Sequence, residues 1–100
     1  MRDMKIGEIK RILARHKEEL RERFKVREIG VFGSYVRGEQ KKRGSDIDIL
    51  VEFEEPIGLF KFMELEEYLS NLLGAKVDLV SKKALKPRIG KHILKEVVYV

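Results

Sequence analysis

Asp46 and Asp48 open the run Asp-Ile-Asp-Ile-Leu-Val-Glu-Phe, in which Ile47, Ile49, Val51 and Phe53 alternate with Asp46, Asp48, Leu50 and Glu52. Such alternation predicts a strand over 46–53 with one face in the core. Residues two apart on a strand point to the same side, with Cα atoms about 6.5 Å apart at ~3.3 Å rise per residue. The two carboxylates therefore converge, and like charges so close raise each other's pKa unless cations sit between them. The chain has no cysteine, which excludes disulfides, thiolate zinc sites and cysteine nucleophiles together. Hard oxygen donors of this kind suit Mg²⁺, usually bound by one or two carboxylates with phosphate oxygens and waters completing the shell. The chemistry indicated is phosphoryl transfer.

Gly33 and Ser34 supply a matching half. They follow a short β-prone run ending Ile29-Gly30-Val31-Phe32. A turn without a side chain, at the mouth of a short helix, lets backbone N–H groups approach a phosphate. Ser34 adds a hydroxyl donor and is placed to cap that helix, which runs through Arg37. Either feature alone is a common structural turn or strand edge. A strand, the Gly-Ser turn, eleven intervening residues and then Asp-x-Asp opening a second strand make a far more specific set.

The elements that must hold these residues are legible as periodicities. Ile6, Ile9, Ile12, Leu13, His16, Leu20 and Phe24 form one stripe of a first helix over 5–23, with Glu19 and Arg23 paired on its solvated face and His16 a partly buried structural residue. Strand 27–32, the short helix and a basic loop 39–45 carrying Lys41, Lys42 and Arg43 follow. Beyond Pro56 and Gly58, Leu59, Phe62, Met63, Leu69, Leu72 and Leu73 mark a helix closed by Gly74, with Phe62 and Met63 as core filler. A third strand over 76–80 puts Val77 and Leu79 on one face and Asp78 on the other, repeating the second. Pro87 opens a last helix through Ile89, Ile93 and Leu94, leaving an apolar tail over 97–100 that either packs on its own domain or meets a partner.

The expected architecture is α+β, close to α/β: one domain over 1–100, with a small three-stranded mixed sheet covered by helices. The second and third strands, joined through a helix, should run parallel and right-handed. The first and second should run antiparallel, because only then do Gly33 and Asp46 meet one ligand.

Composition narrows the function. With 43% apolar and 39% charged residues the chain should fold as a soluble globule. No apolar stretch suits a membrane span or signal peptide, so the expected location is cytoplasmic, with no membrane partner. A net charge of +5 favours anionic partners, although dense Lys, Arg and Glu also describes a surface of ion-pair networks. Tyr35, Tyr68 and Tyr99 are scattered rather than grouped as a stacking platform, which disfavours direct nucleic acid binding.

The segment GSYVRGEQKKRGSDIDILVEF, residues 33–53, resembles the signature of the DNA polymerase beta nucleotidyltransferase superfamily, most closely its minimal nucleotidyltransferases, stand-alone domains of about this length. The resemblance extends over the leading helix, the acidic strand KVDLVS and the ending LKPRIGKHILKEVVYV. It departs at Val36, where the family typically has a small residue before Arg37. It implies a polymerase beta-like fold in which Gly33 and Ser34 hold the triphosphate, Asp46 and Asp48 bind paired Mg²⁺ ions, and Asp78 is the third carboxylate. On the residues alone, Asp78 is either that ligand or a surface carboxylate of an edge strand, and Arg37 either neutralises a phosphate or pairs with Glu39. Minimal nucleotidyltransferases are known as antitoxins that adenylylate HEPN-domain toxins, typically on tyrosine, with ATP as donor. The resemblance therefore implies a HEPN toxin partner in a hetero-oligomer. The rival expectation is an antitoxin that neutralises its partner by contact alone, its acidic motif catalytically idle.

Overall fold

The computed structural model describes residues 4–39 and 46–100; the basic run Lys41, Lys42 and Arg43 lies outside them. Helices α1 (Ile6–Arg15) and α2 (Lys17–Phe24) precede strand β1 (Val26–Phe32) and the short helix α3 (Ser34–Arg37). Strand β2 (Ile47–Phe53), helix α4 (Leu59–Leu73) and strand β3 (Val77–Ser81) follow, then a 3-10 turn (Lys82–Ala84), helix α5 (Pro87–Glu96) and strand β4 (Val98–Tyr99). The strands form one sheet in the order β3-β2-β1-β4. The β1–β2 pair is antiparallel, as expected if Gly33 and the start of β2 are to meet one ligand, and β2–β3 is parallel, as its helical crossover requires.

The sheet has two unlike faces. Ile29 and Val31 of β1, Ile47, Ile49 and Val51 of β2, and Val77 and Leu79 of β3 point into a single apolar cluster. Against them pack Ile9 and Leu13 of α1, Leu20 and Phe24 of α2, and Leu65, Leu69 and Leu73 of α4. Each such side chain, fully removed from water, contributes roughly 1.5–3 kcal/mol before entropy is counted. The opposite face carries Phe32, Asp48 and Asp78 in one row and Gly30, Leu50 and Val80 in the next. Helix α5 covers it thinly, with Gly90 its only buried residue.

Three expectations are corrected. The first helix is broken at His16, whose backbone leaves the helical region at φ −110, ψ 10. The ring of His16 donates from Nδ1 to the Ile12 carbonyl at 2.9 Å, replacing a bond the interrupted backbone no longer makes. The apolar stripe passes through the break without losing phase, so periodicity alone does not register it. The sheet has four strands rather than three: the tail turns back and pairs with β1 at Gly30↔Tyr99 and Val31↔Val98. A Cβ on Gly30 would sit 2.7 Å from the Val97 side chain and 3.0 Å from the Val98 carbonyl, so the missing side chain is what admits the tail. Met63 is not core: it is 54% exposed, beside Leu59 at 70% and Phe60 at 85%. Phe62 does pack on the cluster, edge-on to Phe53 at 6.2 Å.

Part of the dense charge is local pairing. Arg23 lies 3.8 Å from Glu19 and 3.1 Å from Glu64, and its guanidinium stands over the rings of Phe24 and Tyr68. The Tyr68 hydroxyl donates to Glu19 at 2.7 Å, joining α2 to α4.

Candidate active site

The sheet register brings the aspartates together. Asp48 is opposite Asp78 on the parallel neighbour and opposite Phe32 on the antiparallel one, so the two carboxylates leave the same face about one strand spacing apart. Asp46 precedes β2 by one residue on the same side; its carboxylate is 4.0 Å from Lys76 Nζ. Asp46 and Asp48 are half-buried and Asp78 is exposed on the edge strand. Asp48 has its pKa pushed up to about 6, first by burial and then by the charges of Asp78 and Asp46. The repulsion expected from the spacing is thus present.

Gly33 ends β1 directly against Asp48. With φ 80 and ψ −153 it occupies a backbone region closed to other residues, and a Cβ there would lie 2.0 Å from Asp48 Oδ2. The Gly33 carbonyl accepts from Val36 N at 3.0 Å and Arg37 N at 3.2 Å, starting α3. Gly33, not Ser34, is therefore the residue at the capping position. Ser34 is the first helical residue.

Arg37 pairs with Glu39, Nε to Oε1 at 2.7 Å, and also with Glu96 through Nη1. Of the two sequence alternatives the pairing with Glu39 is present, and it leaves the guanidinium on the rim of the same cleft. Glu96 was not foreseen. It accepts from the Gly33 N–H at 2.8 Å with its other oxygen. Burial pushes its pKa up, but the Gly33 N–H and the Arg37 guanidinium outweigh that and hold it below the usual carboxylate range. Gly33 and Glu96 are 63 residues apart, and no spacing rule joins a turn to the last residue of a distant helix.

Phe32, Gly33, Arg37, Asp48, Ile89, His92, Ile93 and Glu96 line one cleft of about 570 Å³ between the sheet ends and α5. It sets the Asp48 carboxylate and the Gly33 turn beside apolar Phe32, Ile89 and Ile93 and polar Arg37, His92 and Glu96. Among the described residues no three His, Asp or Glu side chains already converge on one point as a finished metal site. The donor set nonetheless fits Mg²⁺: all oxygen, two strands deep, with Asp48 carrying a charge penalty that a divalent cation would remove.

A small mixed sheet with acidic residues on adjacent parallel strands beside a Gly-Ser turn is the arrangement of a nucleotidyltransferase domain. The chain belongs to the nucleotidyltransferase domain family, whose description matches residues 13–100, and within it to the minimal nucleotidyltransferases. It is 66% identical over 95 residues to protein adenylyltransferase MntA of Thermococcus cleftensis, covering 95% of each chain. Among solved structures it resembles a toxin–antitoxin crystallised with AMP-PNP, at 29% identity and TM-score 0.72, over 86% of this chain and 69% of that one. The fold also matches, at 23% identity and TM-score 0.67 over 91% and 70% of the chains, a complex from Shewanella oneidensis of a tri-AMPylated HEPN toxin with an MNT antitoxin. The chain is a nucleotidyltransferase with the small mixed sheet and helices of that fold.

Proposed function

We propose that this chain is the antitoxin of a toxin–antitoxin pair and acts as a Mg²⁺-dependent protein adenylyltransferase, moving AMP from ATP to a tyrosine of a HEPN toxin. The observation that carries the reading is the contact of Gly33 with Asp48, which sets a phosphate-binding turn against a carboxylate row shared with Asp78. The named adenylyltransferase at 66% identity supports the reaction, and the antitoxin complexes of the same fold support the partner.

In this reading the Gly33 N–H and the Ser34 hydroxyl bind the triphosphate, Arg37 meets its charge at the rim, and Asp46, Asp48 and Asp78 hold the metal. Bound there, Mg²⁺ supplies charge neutralisation for the attacking and leaving oxygens of an in-line displacement. The acceptor oxygen forms a bond to the α-phosphorus while the bond to the bridging oxygen breaks, and pyrophosphate leaves. Asp78 stands on the acceptor side, where it can take the hydroxyl proton. Its exposure on an edge strand suits an acceptor presented by another protein.

The test is intact-mass spectrometry of the candidate toxin after incubation with the chain, ATP and Mg²⁺, which should show added AMP units of about 329 Da. Neutralisation of the toxin with no mass change would replace the enzyme reading by the contact-only antitoxin. Omitting the metal should abolish both transfer and nucleotide binding, since triphosphate and clustered carboxylates repel each other without a bridging cation.

A further inference from the structure

The geometry points to Glu96 as a built-in anion that occupies the phosphate-binding turn of the ligand-free protein, so that nucleotide enters by exchange with a carboxylate of the chain itself. The two oxygens of Glu96 are divided between two donors, the Gly33 N–H and the Arg37 guanidinium. Those are the donors that the site would turn toward a triphosphate, and a carboxylate bridging an N–H and a guanidinium satisfies them as a phosphate does. One N–H directed at Glu96 at 2.8 Å cannot at the same time serve a phosphate oxygen.

The position of Glu96 is held from both sides. It is the last residue of α5, and the next residue, Val97, fills the space left by the absent side chain of Gly30 before β4 pairs with β1. The end of the helix is thereby fixed over the turn, and only the side chain need swing for exchange. Glu96 lines the same cleft as Asp48, so a nucleotide that enters there meets it directly and competes for Gly33 and Arg37. His92, one turn back on α5, also lines the cleft and offers a ring nitrogen toward which the released carboxylate can turn.

The inference rests on the reading of Gly33 as the phosphate-binding turn, and the experiment separates the two. AMP-PNP with Mg²⁺ is titrated calorimetrically into wild type, Glu96→Gln, Glu96→Ala, and the double variant Asp46→Asn with Asp48→Asn. Removing a closed state populated at about nine to one tightens apparent affinity about tenfold, so Glu96→Ala should bind about tenfold more tightly and Glu96→Gln by less. Equal or weaker binding in both variants, with wild-type binding intact, overturns the exchange and makes Glu96 a support for Arg37. No binding by wild type, or undiminished binding by the aspartate double variant, overturns the site reading and the exchange with it. A second readout follows one amide directly, and its first half uses wild type alone. The amide signal of Gly33 in wild type should move on adding Mg²⁺ and AMP-PNP, and the free-protein signal should itself change in Glu96→Ala. A Gly33 amide indifferent to both also overturns the proposal.

Discussion

The two faces of the sheet use the same strands for opposite ends. On the helical face, Ile47, Ile49 and Val51 meet α1, α2 and α4 in a cluster whose members are almost all fully buried, and among the described residues it contains no charged side chain. One residue over on the same strands, Asp48 and Asp78 stand side by side under a thin cover, with Asp48 strained by its own charge. The difference teaches where stability and function are kept apart. The apolar face supplies the free energy that lets the other face hold repelling carboxylates in register, as packed scaffolds generally support strained sites.

Breaking the charged face alone should have the largest effect. Asp46→Asn with Asp48→Asn preserves shape and removes the charges that hold the metal, so transfer should fall about a thousandfold or more while the fold persists. Product mass and circular dichroism on the same samples check both halves, and loss of folded signal would mean that the faces are not separable. Leu69→Ala is the converse. It should cost about 2–5 kcal/mol of stability by denaturant unfolding, yet leave the rate per folded molecule unchanged. A smaller effect is expected for Ser34→Ala, which removes one hydroxyl without touching the cap, for about 1–2 kcal/mol of nucleotide affinity by calorimetry. Gly33→Val should do more damage than Ser34→Ala in the same assay, because the new side chain collides with Asp48 at a positive φ.

The smallest expected effect is on the pH dependence of the metal-free protein. The folded pKa of Asp48, about 6, lies above its unfolded value, so the folded chain binds the extra proton between the two. Its contribution therefore favours the fold at low pH and is lost as pH rises from about 4 to about 6. Asp48→Asn should remove that slope, raising the melting temperature above pH 6 by about a few degrees at most, since a half-exposed group is screened by solvent. A wild type and variant with parallel melting curves from pH 4 to 8 would show Asp48 to be unstrained.

What the sequence made legible was whatever depends on neighbours along the chain. Alternation in β2 and β3 identified both faces, and the Gly-Ser turn with Asp-x-Asp pointed to the candidate site, because each is local and the strands carry the period themselves. The features it withheld depend on contacts between distant segments. The tail joins the sheet because Gly30 leaves it room, and Glu96 reaches Gly33 only once α5 is laid across the sheet. Met63 fits the apolar spacing of α4 yet faces outward, while its neighbour Phe62 is the one turned to Phe53 of β2. Ser34 has the side chain of a capping residue, but the positive φ of Gly33 begins the helix one position earlier.

The shortness of β4 bears on how the edge of the sheet is guarded. Beyond the two paired residues and the bond from Val100 N to the Ile29 carbonyl, the start of β1 has no strand beside its outer edge among the described residues, and an unpaired strand edge is a template for adding another chain. That stretch carries Arg27 and Glu28, both exposed, and Arg27 is the extra residue of a bulge between Val26 and Glu28 against β2. Charge and a local twist are the two devices that discourage edge-to-edge aggregation. The irregular start of β1 thus works as a guard for solubility, placed where the sheet stops protecting itself.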